Sequence, residues 1–420
     1  MAETIIFALF YAAMLGIWTL LLLNVFLLYG GYQYSREAEE YTFPKLSDYL
    51  GLKKVSILIP AHNEEMVIGR TLTAMCEMNY PRDLLEIIVI NDNSKDATGT
   101  EIERVKAEFP DTKVIHLEII GDRGGKGKSN ALNIGYQEAS GEYLAVYDAD
   151  NTPNANALYY LVYTMEQNDK YGAVIGKFRT RNKNKNILTA FINIETLSFQ
   201  WMAQAGRWKY FRLCTIPGTN FLVRRRIIDA IGGWDPKAIA EDTEISFRIY
   251  NMGYQIAFMP KAETFEQEPE SLKVWIKQRS RWVNGNFYVL FKNLLNPRYI
   301  KSFKVIVDIA YFFTVYVLFL SAVVLSDIIF IIGIFSGIRL AIPNGFFIIW
   351  ALSYVVFLFQ IAITLSIEKG EVHRKNLFLI SIMYFTYCQL WLVASVRGLF
   401  LFLKETISGK GSKWYKTERF

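Results

Sequence analysis

Glu142-Tyr-Leu-Ala-Val-Tyr-Asp-Ala-Asp150 is an apolar run of strand length that ends in two carboxylates two positions apart. Side chains at i and i+2 of an extended chain share a face, so Asp148 and Asp150 emerge together where the strand stops. Toward the N-terminus, Lys54-Val-Ser-Ile-Leu-Ile-Pro60, Glu86-Ile-Ile-Val-Ile-Asn91 and Lys113 to Leu117 repeat the apolar pattern. Between them lie helical stretches: Asn63 to Leu72 with Asn63 as its cap, a segment carrying Ile102 and Val105, and Ser129 to Gln137. β-branched runs alternating with helices predict an α/β architecture, a mostly parallel sheet covered on both faces. Ligands of such sheets sit beyond the carboxyl ends of the strands. Pro60-Ala-His-Asn-Glu64, Asn91-Asp92 and Asp148-Ala-Asp150 all fall at those ends.

The rest of the chain is divided by hydropathy. Of 420 residues, 52% are apolar, but they are unevenly spread. No charge occurs from Thr4 to Ser35, well beyond the roughly 20 residues a spanning helix needs. The stretch lacks the basic start and small-residue cleavage site of a signal peptide, so it is expected to be a retained membrane helix. Ile309 to Ser326, Leu340 to Ser366 and Leu377 to Ser395 are also uncharged, and Ile328 to Gly337 continues the first of these past Asp327. Four membrane helices are expected, or five if that continuation is separate. The domains expected are 1–36, an N-terminal transmembrane helix; 37–300, a soluble domain with interfacial helices; 301–403, a transmembrane region; and 404–420, a basic tail.

A formal charge of +6 does not point to nucleic acid, because the positives cluster beside the apolar segments. Arg298, Lys301 and Lys304 precede one span and Lys404, Lys410, Lys413, Lys416 and Arg419 follow the last, as expected on a cytoplasmic face. The basic loop Lys369 to Lys375 argues the other way, leaving the direction of the final spans open. Cys76, Cys214 and Cys388 have neither disulfide nor metal-ligand spacing and suit a reducing compartment. No glycine-rich dinucleotide fingerprint or Walker A motif is present, which argues against a nicotinamide or ATP site.

The polar tips suggest their own chemistry. An isolated Asp-x-Asp also suits a surface turn, but beside the other tips it suits Mg²⁺ or Mn²⁺ held by Asp150 and Asp148 together with diphosphate oxygens. Asp92 is placed to accept from a base, His62 offers a flat ring beside it, and Asn63 or Glu64 reaches toward a ribose. Lys128, after a glycine-rich turn, suits a phosphate, although a solvated loop explains the turn equally well. Glu241 and Asp242 open a later helix, where acids also complement the helix dipole. With diphosphate as leaving group one general base suffices, and Asp242 is chosen for it. Gln278, Arg281 and Trp282 lie on an amphipathic helix and its exit: Arg281 toward diphosphate, Trp282 as an apolar platform for a sugar. Pro217-Gly-Thr-Asn220, through Gly218 and Thr219, is expected to wall the acceptor side.

Asp92, Asp148-Ala-Asp150, Glu241-Asp242 and Gln278-Arg-Ser-Arg-Trp282, in that order, resemble family-2 inverting glycosyltransferases. The likeness is strongest to membrane-embedded processive synthases of cellulose, mixed-linkage glucan, poly-N-acetylglucosamine, hyaluronan and chitin. It spans about residues 54–300, with weaker support from Pro60 to Glu64 and Lys128 to Asn133. The resemblance implies a cytosolic GT-A domain inserted between transmembrane helices, with amphipathic helices at the interface. It implies that Asp92 recognises uracil, that His62 replaces an aromatic beside the base, that Asp150 holds the metal, and that Asp242, beside Glu241, is the base. Gln278, Arg281 and Trp282 would organise acceptor and diphosphate. Ala240 departs from the threonine common in that motif, the single N-terminal span is fewer than in several relatives, and no regulatory domain is expected after Gly409. Trp414 to Arg419 resembles a terminal motif of bacterial extracellular-polysaccharide synthases.

The function expected is therefore processive, inverting polymerisation of a UDP-hexose, UDP-N-acetylglucosamine or UDP-glucose, coupled to export. The alternative is transfer of one sugar to a lipid carrier or glycolipid. Its expected partners are the UDP-sugar donor, the growing polysaccharide, membrane lipids and accessory export or regulatory proteins. Its expected place is the bacterial plasma membrane, multi-pass, with the catalytic domain cytoplasmic.

Overall fold

The computed structural model describes residues 2–335 and 344–408. The first helix, α1 (Ala2–Glu40), runs into the sheet domain, whose elements follow as β1 (Val55–Ala61), α2 (Ile68–Cys76), β2 (Leu85–Asp92), α3 (Thr98–Glu108), β3 (Lys113–Ile119), α4 (Lys128–Glu138), β4 (Tyr143–Val146), β5 (Thr152–Pro153), α5 (Ala157–Glu166) and β6 (Tyr171–Thr180). Next come α6 (Ile187–Ser198), a π-helical segment (Phe199–Gly206), α7 (Arg207–Phe211), β7 (Phe221–Arg224), α8 (Arg225–Ile231), α9 (Glu241–Asn251), β8 (Gln255–Glu266) and α10 (Leu272–Leu294). The C-terminal part contains α11 (Phe303–Phe313), a π-helical turn (Thr314–Phe319), α12 (Leu320–Phe335), α13 (Asn344–Ile367), α14 (Arg374–Met383) and α15 (Tyr387–Ser408).

One eight-stranded sheet has the order β3-β2-β1-β4-β7-β6-β8-β5. The four predicted strands form its parallel half, with Val55 opposite both Leu85 and Tyr143. Their fully buried aliphatic residues, such as Ile57, Ile88 and Ala145, explain why those runs carry no polar alternation. The expectation of a mostly parallel sheet holds, since β6 and β8 also pair parallel, but β7 pairs antiparallel with both β4 and β6, and β5 pairs antiparallel with β8. These later strands are short or interrupted by bulges, so their pattern is weak in the sequence.

Asn63 does not cap the helix after β1. That helix begins at Ile68 with Val67 as its N-cap. Asn63 instead adopts φ 54° and ties two strand-end loops: its amide donates to Ser94 Oγ at 2.9 Å and its Oδ1 accepts from Lys95 N at 2.7 Å. Asparagine tolerates this left-handed conformation better than most residues.

Of the four or five membrane helices expected, two among the described residues are long and apolar enough to cross a membrane, Phe7–Glu40 and Phe303–Ile329. The second of these carries the Ile309–Ser326 stretch past Asp327 without a break. Part of the expected Leu340–Ser366 span, and the end of the Ile328–Gly337 continuation, lie outside the described residues. Leu377–Ser395 is not straight: α14 and α15 meet at 49° across the turn Tyr384-Phe385-Thr386, and only as a bent pair do they make a third candidate.

Several helix ends are fastened to the sheet domain. Lys261 Nζ donates to Glu39 O and, at 2.6 Å, to Tyr41 O beyond α1. Lys304, opening α11, donates to Arg212 O at 3.0 Å. Glu368, after α13, pairs with Lys177 at 2.6 Å, and Glu371 with Arg179 at 3.1 Å and Lys183 at 2.6 Å, both from the β6 region. Packing joins α1, α12 and α13 through Ile17, Leu21 and Ala322, and Gln360 Nε2 donates to Leu21 O at 2.8 Å. Helix α10 lies between the sheet domain and α15. A Cβ on Gly285 would stand 2.7 Å from Ala240 Cβ, and one on Gly398 2.6 Å from Val283 Cβ, so both contacts need the missing side chain. Phe287 and Phe291 continue the contact with α15 through Phe402.

Candidate active site

A cavity of about 340 Å³ lies at the carboxyl ends of β1, β2 and β4, as the strand order requires. It is lined by His62, Glu64, Asp92, Lys128, Asp148, Asp150, Gly218, Thr219, Glu241, Asp242, Gln278, Arg281 and Trp282, so segments far apart in the chain converge. Of the residues singled out from the sequence, Asn63 alone does not line it, being occupied in the loop described above. The three cysteines are free, as their spacing predicts.

The nucleotide-side residues are fixed locally. Asp92 is buried, and its Oδ1 accepts from Gly125 N at 2.7 Å; burial raises its carboxyl above the usual range. His62 Nδ1 lies 2.5 Å from Asp92 O, which fixes the imidazole against the strand end. The glycine-rich turn thus folds over Asp92. Lys126 in it is exposed, whereas Lys128 turns inward.

Lys128 is engaged by the protein itself. Its Nζ lies 2.7 Å from Asp148 Oδ1, 3.2 Å from Glu241 Oε1 and 2.7 Å from Gly218 O. Those three acceptors match the three protons of an ammonium, so the lysine expected on a phosphate bridges two acids here. Burial alone would lower its pKa; Asp148 and Glu241 outweigh that and hold it above the ordinary lysine value.

Gly218 and Thr219 explain the spacing of the acids. Thr219 Oγ1 accepts from Asp148 N at 3.1 Å, fixing the end of β4. Gly218 has φ +89°, a conformation other residues rarely adopt, and a Cβ there would stand 2.9 Å from Asp242 Oδ2. One loop thus abuts both groups of acids. Asp242 lies in the first turn of α9, and its Oδ1 accepts from Thr243 N at 2.7 Å. Burial first, then the neighbouring Glu241 carboxylate, push Asp242 up to about 7, although Lys128 pulls the other way. A carboxyl so placed can exchange a proton near neutrality.

Asp150 Oδ2 accepts from Gln267 N at 3.3 Å, and Arg181 donates to Asp150 O. Among the described residues no group of three or more His, Cys, Asp and Glu is arranged to hold a metal. The carboxylates of Asp150 and Asp148 are oxygen donors suited to Mg²⁺ or Mn²⁺, but most of the coordination must come from elsewhere. That donor set fits an ion whose remaining ligands are diphosphate oxygens and water.

Helix α10 continues past Trp282 to Leu294, so Trp282 lies within the helix instead of at its exit. The residue is 40% exposed. Residues not singled out from the sequence complete this end: Glu195, Arg279, Asn286, Tyr311, Tyr316 and Trp391. Arg279 Nη2 donates to Glu195 Oε2 at 2.7 Å, while Asn286 Nδ2 donates to Tyr316 OH at 2.8 Å. Arg207 forms a buried ion pair with Asp308 of α11, and its Nη2 also donates to Thr215 Oγ1 at 3.1 Å. Buried carboxylates and guanidinium groups signal such pairs, but their partners are about 80 to 100 positions apart and become visible only in the fold.

The sequence matches a family model described as Glycosyltransferase like family 2 over residues 53–285. The probable glycosyltransferase YdaM of Bacillus subtilis (strain 168) is 48% identical over 413 residues, 98% of each chain. A poly-beta-1,6-N-acetyl-D-glucosamine synthase of Staphylococcus epidermidis is 32% identical over 247 residues, 59% of this chain and 58% of that synthase. Among solved structures, the mannosyltransferase PcManGT from Pyrobaculum calidifontis, in complex with GDP-Man and Mn²⁺, superposes with a TM-score of 0.63. That superposition covers 95% of this chain and 99% of the other at 20% identity, and it identifies the fold as GT-A-like.

Proposed function

The chain belongs to the Glycosyltransferase like family 2, and from that premise we propose that it polymerises a UDP-activated hexose processively, with inversion, into an extracellular polysaccharide. It is a glycosyltransferase; donor, product length and export are the proposal. The observation carrying it is the convergence of Asp92, Asp148, Asp150, Asp242 and Trp282 on one cavity that continues to Tyr311, Tyr316 and Trp391 of the apolar helices. UDP-N-acetylglucosamine is favoured over UDP-glucose by the named activity of the Staphylococcus epidermidis relative.

In this reading Asp92 accepts from the base, with His62 beside it and Glu64 toward the ribose. Asp150, with Asp148, would hold Mg²⁺ or Mn²⁺, and the ion would offset charge gathering on the departing diphosphate. Arg281 contacts the diphosphate, while Trp282, Gln278, Gly218 and Thr219 position the acceptor. Asp242 takes the proton of the acceptor hydroxyl as that oxygen bonds to the anomeric carbon from the side opposite UDP. The bond from anomeric carbon to diphosphate oxygen breaks, and UDP leaves with its electron pair. One inversion results, so one base is enough. Glu241 keeps Asp242 basic and shares Lys128 with Asp148.

Membrane placement follows the same reading. The sheet domain, with the attached ends of α1, α11 and α13, faces the cytoplasm. Domain limits at 36, 300 and 403 remain the proposed organisation, with α1 extended to Glu40. Trp414 to Arg419, the segment that resembles a terminal motif, lies outside the described residues. Accessory export or regulatory proteins are further proposed partners.

The test supplies radiolabelled UDP-N-acetylglucosamine and UDP-glucose separately to the purified full chain and resolves products by length. Long chains built on few acceptors from one donor are expected. A single sugar added to a lipid or glycolipid would replace the processive reading with the non-processive one.

A further inference from the structure

Trp282 does not stand alone in the cavity wall. The Arg279 guanidinium lies 4.0 Å from its ring centroid, and 5.7 and 5.9 Å from those of Trp275 and Trp391. Arg279 is 1% exposed, and its Nη1 donates to Gln278 Oε1 at 2.6 Å. Its counter-ion is Glu195 on α6, at 2.7 Å; Glu268 is more distant, at 3.9 Å. Glu195 is held in turn by α15: Tyr387 OH donates to Oε2 at 2.7 Å and Trp391 Nε1 to Oε1 at 2.5 Å.

We infer that Arg279 and Glu195 are a positioning pair that sets the Trp282 ring as the acceptor's sugar platform and anchors that platform to α15. The inference rests on the reading of Trp282 as an acceptor residue. A planar guanidinium stacks over an aromatic face while its N–H groups point outward in its own plane, free to bond carboxylate and amide. Arg279 uses this geometry to meet Trp282, Glu195 and Gln278 at once, and so couples both proposed acceptor residues to one carboxylate. Lysine keeps the charge but is a point donor without a stacking plane. The network therefore limits the directions Trp282 can face before acceptor binds, reducing the ordering cost of capture.

The test uses the full chain in detergent with Arg279→Lys and Glu195→Gln, a β-linked N-acetylglucosamine oligosaccharide as acceptor, and UDP-N-acetylglucosamine. The expected result is an acceptor KM raised about tenfold and shorter products, with donor KM and acceptor-independent UDP release within about twofold of the parent. Parent-like acceptor KM and product length in Arg279→Lys would overturn the pair. So would equal losses in donor and acceptor kinetics, which indicate general disruption. Oligosaccharide binding measured by calorimetry separates this inference from the functional reading. Binding without elongation by the parent overturns processive synthesis alone, parent-like binding by Arg279→Lys overturns the pair, and no binding by the parent overturns both.

Discussion

Lys128 Nζ stands 2.7 Å from Asp148 Oδ1, and that same ammonium reaches the acid pair opening α9. One cation therefore links the proposed metal side to the proposed base side. Lys128→Met should leave these acids without their shared counter-charge. Losing one partner of a largely buried ionic group costs about 3 kcal/mol, so thermal unfolding should begin at lower temperature. Because Lys128 lowers Asp242's proton affinity, its removal should also move the acid limb of kcat/KM to higher pH. A pH–rate profile unchanged in Lys128→Met would refute the electrostatic link.

Asp242, raised to about 7, sets the expected pH dependence. The base acts deprotonated, so kcat/KM should rise with pH through about 7 in the free enzyme and fall as acid protonates it. After burial, Glu241 is the next cause of the raised value. Glu241→Gln removes that like charge and should shift the acid limb down by about one unit. Initial rates across pH 5.5–9 (roughly the useful range for such a limb) check the direction; an upward shift contradicts the assignment.

Asp242→Asn should retain the side chain's size while removing its basicity. Turnover should fall about 1,000-fold, within the range for loss of a general base, with UDP binding near that of the parent. Calorimetry with UDP and steady-state rates separate the effects. Near-parent turnover would exclude Asp242 as base.

Asp150→Ala addresses the proposed ion. Chelation of divalent metal should abolish transfer, Mn²⁺ or Mg²⁺ should restore it in the parent, and Asp150→Ala should need at least about tenfold more metal. A titration of activity against Mn²⁺ reads the difference; an identical half-saturating concentration would remove Asp150 from the ion's ligands.

The parallel half of the sheet was legible because β1, β2 and β4 are buried on both faces and therefore written as unbroken aliphatic runs. Their polar ends identified Asp92, Asp148 and Asp150, which the fold brings into one cavity. Asn63 was misplaced because asparagine suits both an N-cap and a left-handed turn, and only tertiary contacts with Ser94 and Lys95 choose between them. Glu195 is in no sequence motif, and Arg279, although inside the Gln278 to Trp282 run, has no role assigned there, for a different reason. They stand 84 positions apart, and a charge on a predicted helix is ordinarily solvated until a partner at that distance is known. The bend before α15 was equally hidden, since Tyr384-Phe385-Thr386 contains neither proline nor glycine.

The loop after α13 carries the last prediction. The basic residues Lys369 to Lys375 left the direction of the final segments open, but Glu368 and Glu371 are bonded to Lys177, Arg179 and Lys183 of the sheet domain. Glu371 is 1% exposed, so these are not loose surface pairs. An attachment of this kind requires the loop and the sheet domain to lie on one side of the membrane. Lys369 is exposed beside the clamp. In membrane vesicles, Lys369→Cys should therefore react with an impermeant maleimide under the same orientation as a cysteine placed on the exposed face of α3, such as Lys106→Cys. Glu371→Ala should loosen the attachment, because Arg179 and Lys183 lose a shared acceptor; limited proteolysis should then cut near residue 370 sooner. Labelling of Lys369→Cys and Lys106→Cys from opposite sides would break the topology that joins the membrane helices to the proposed active site.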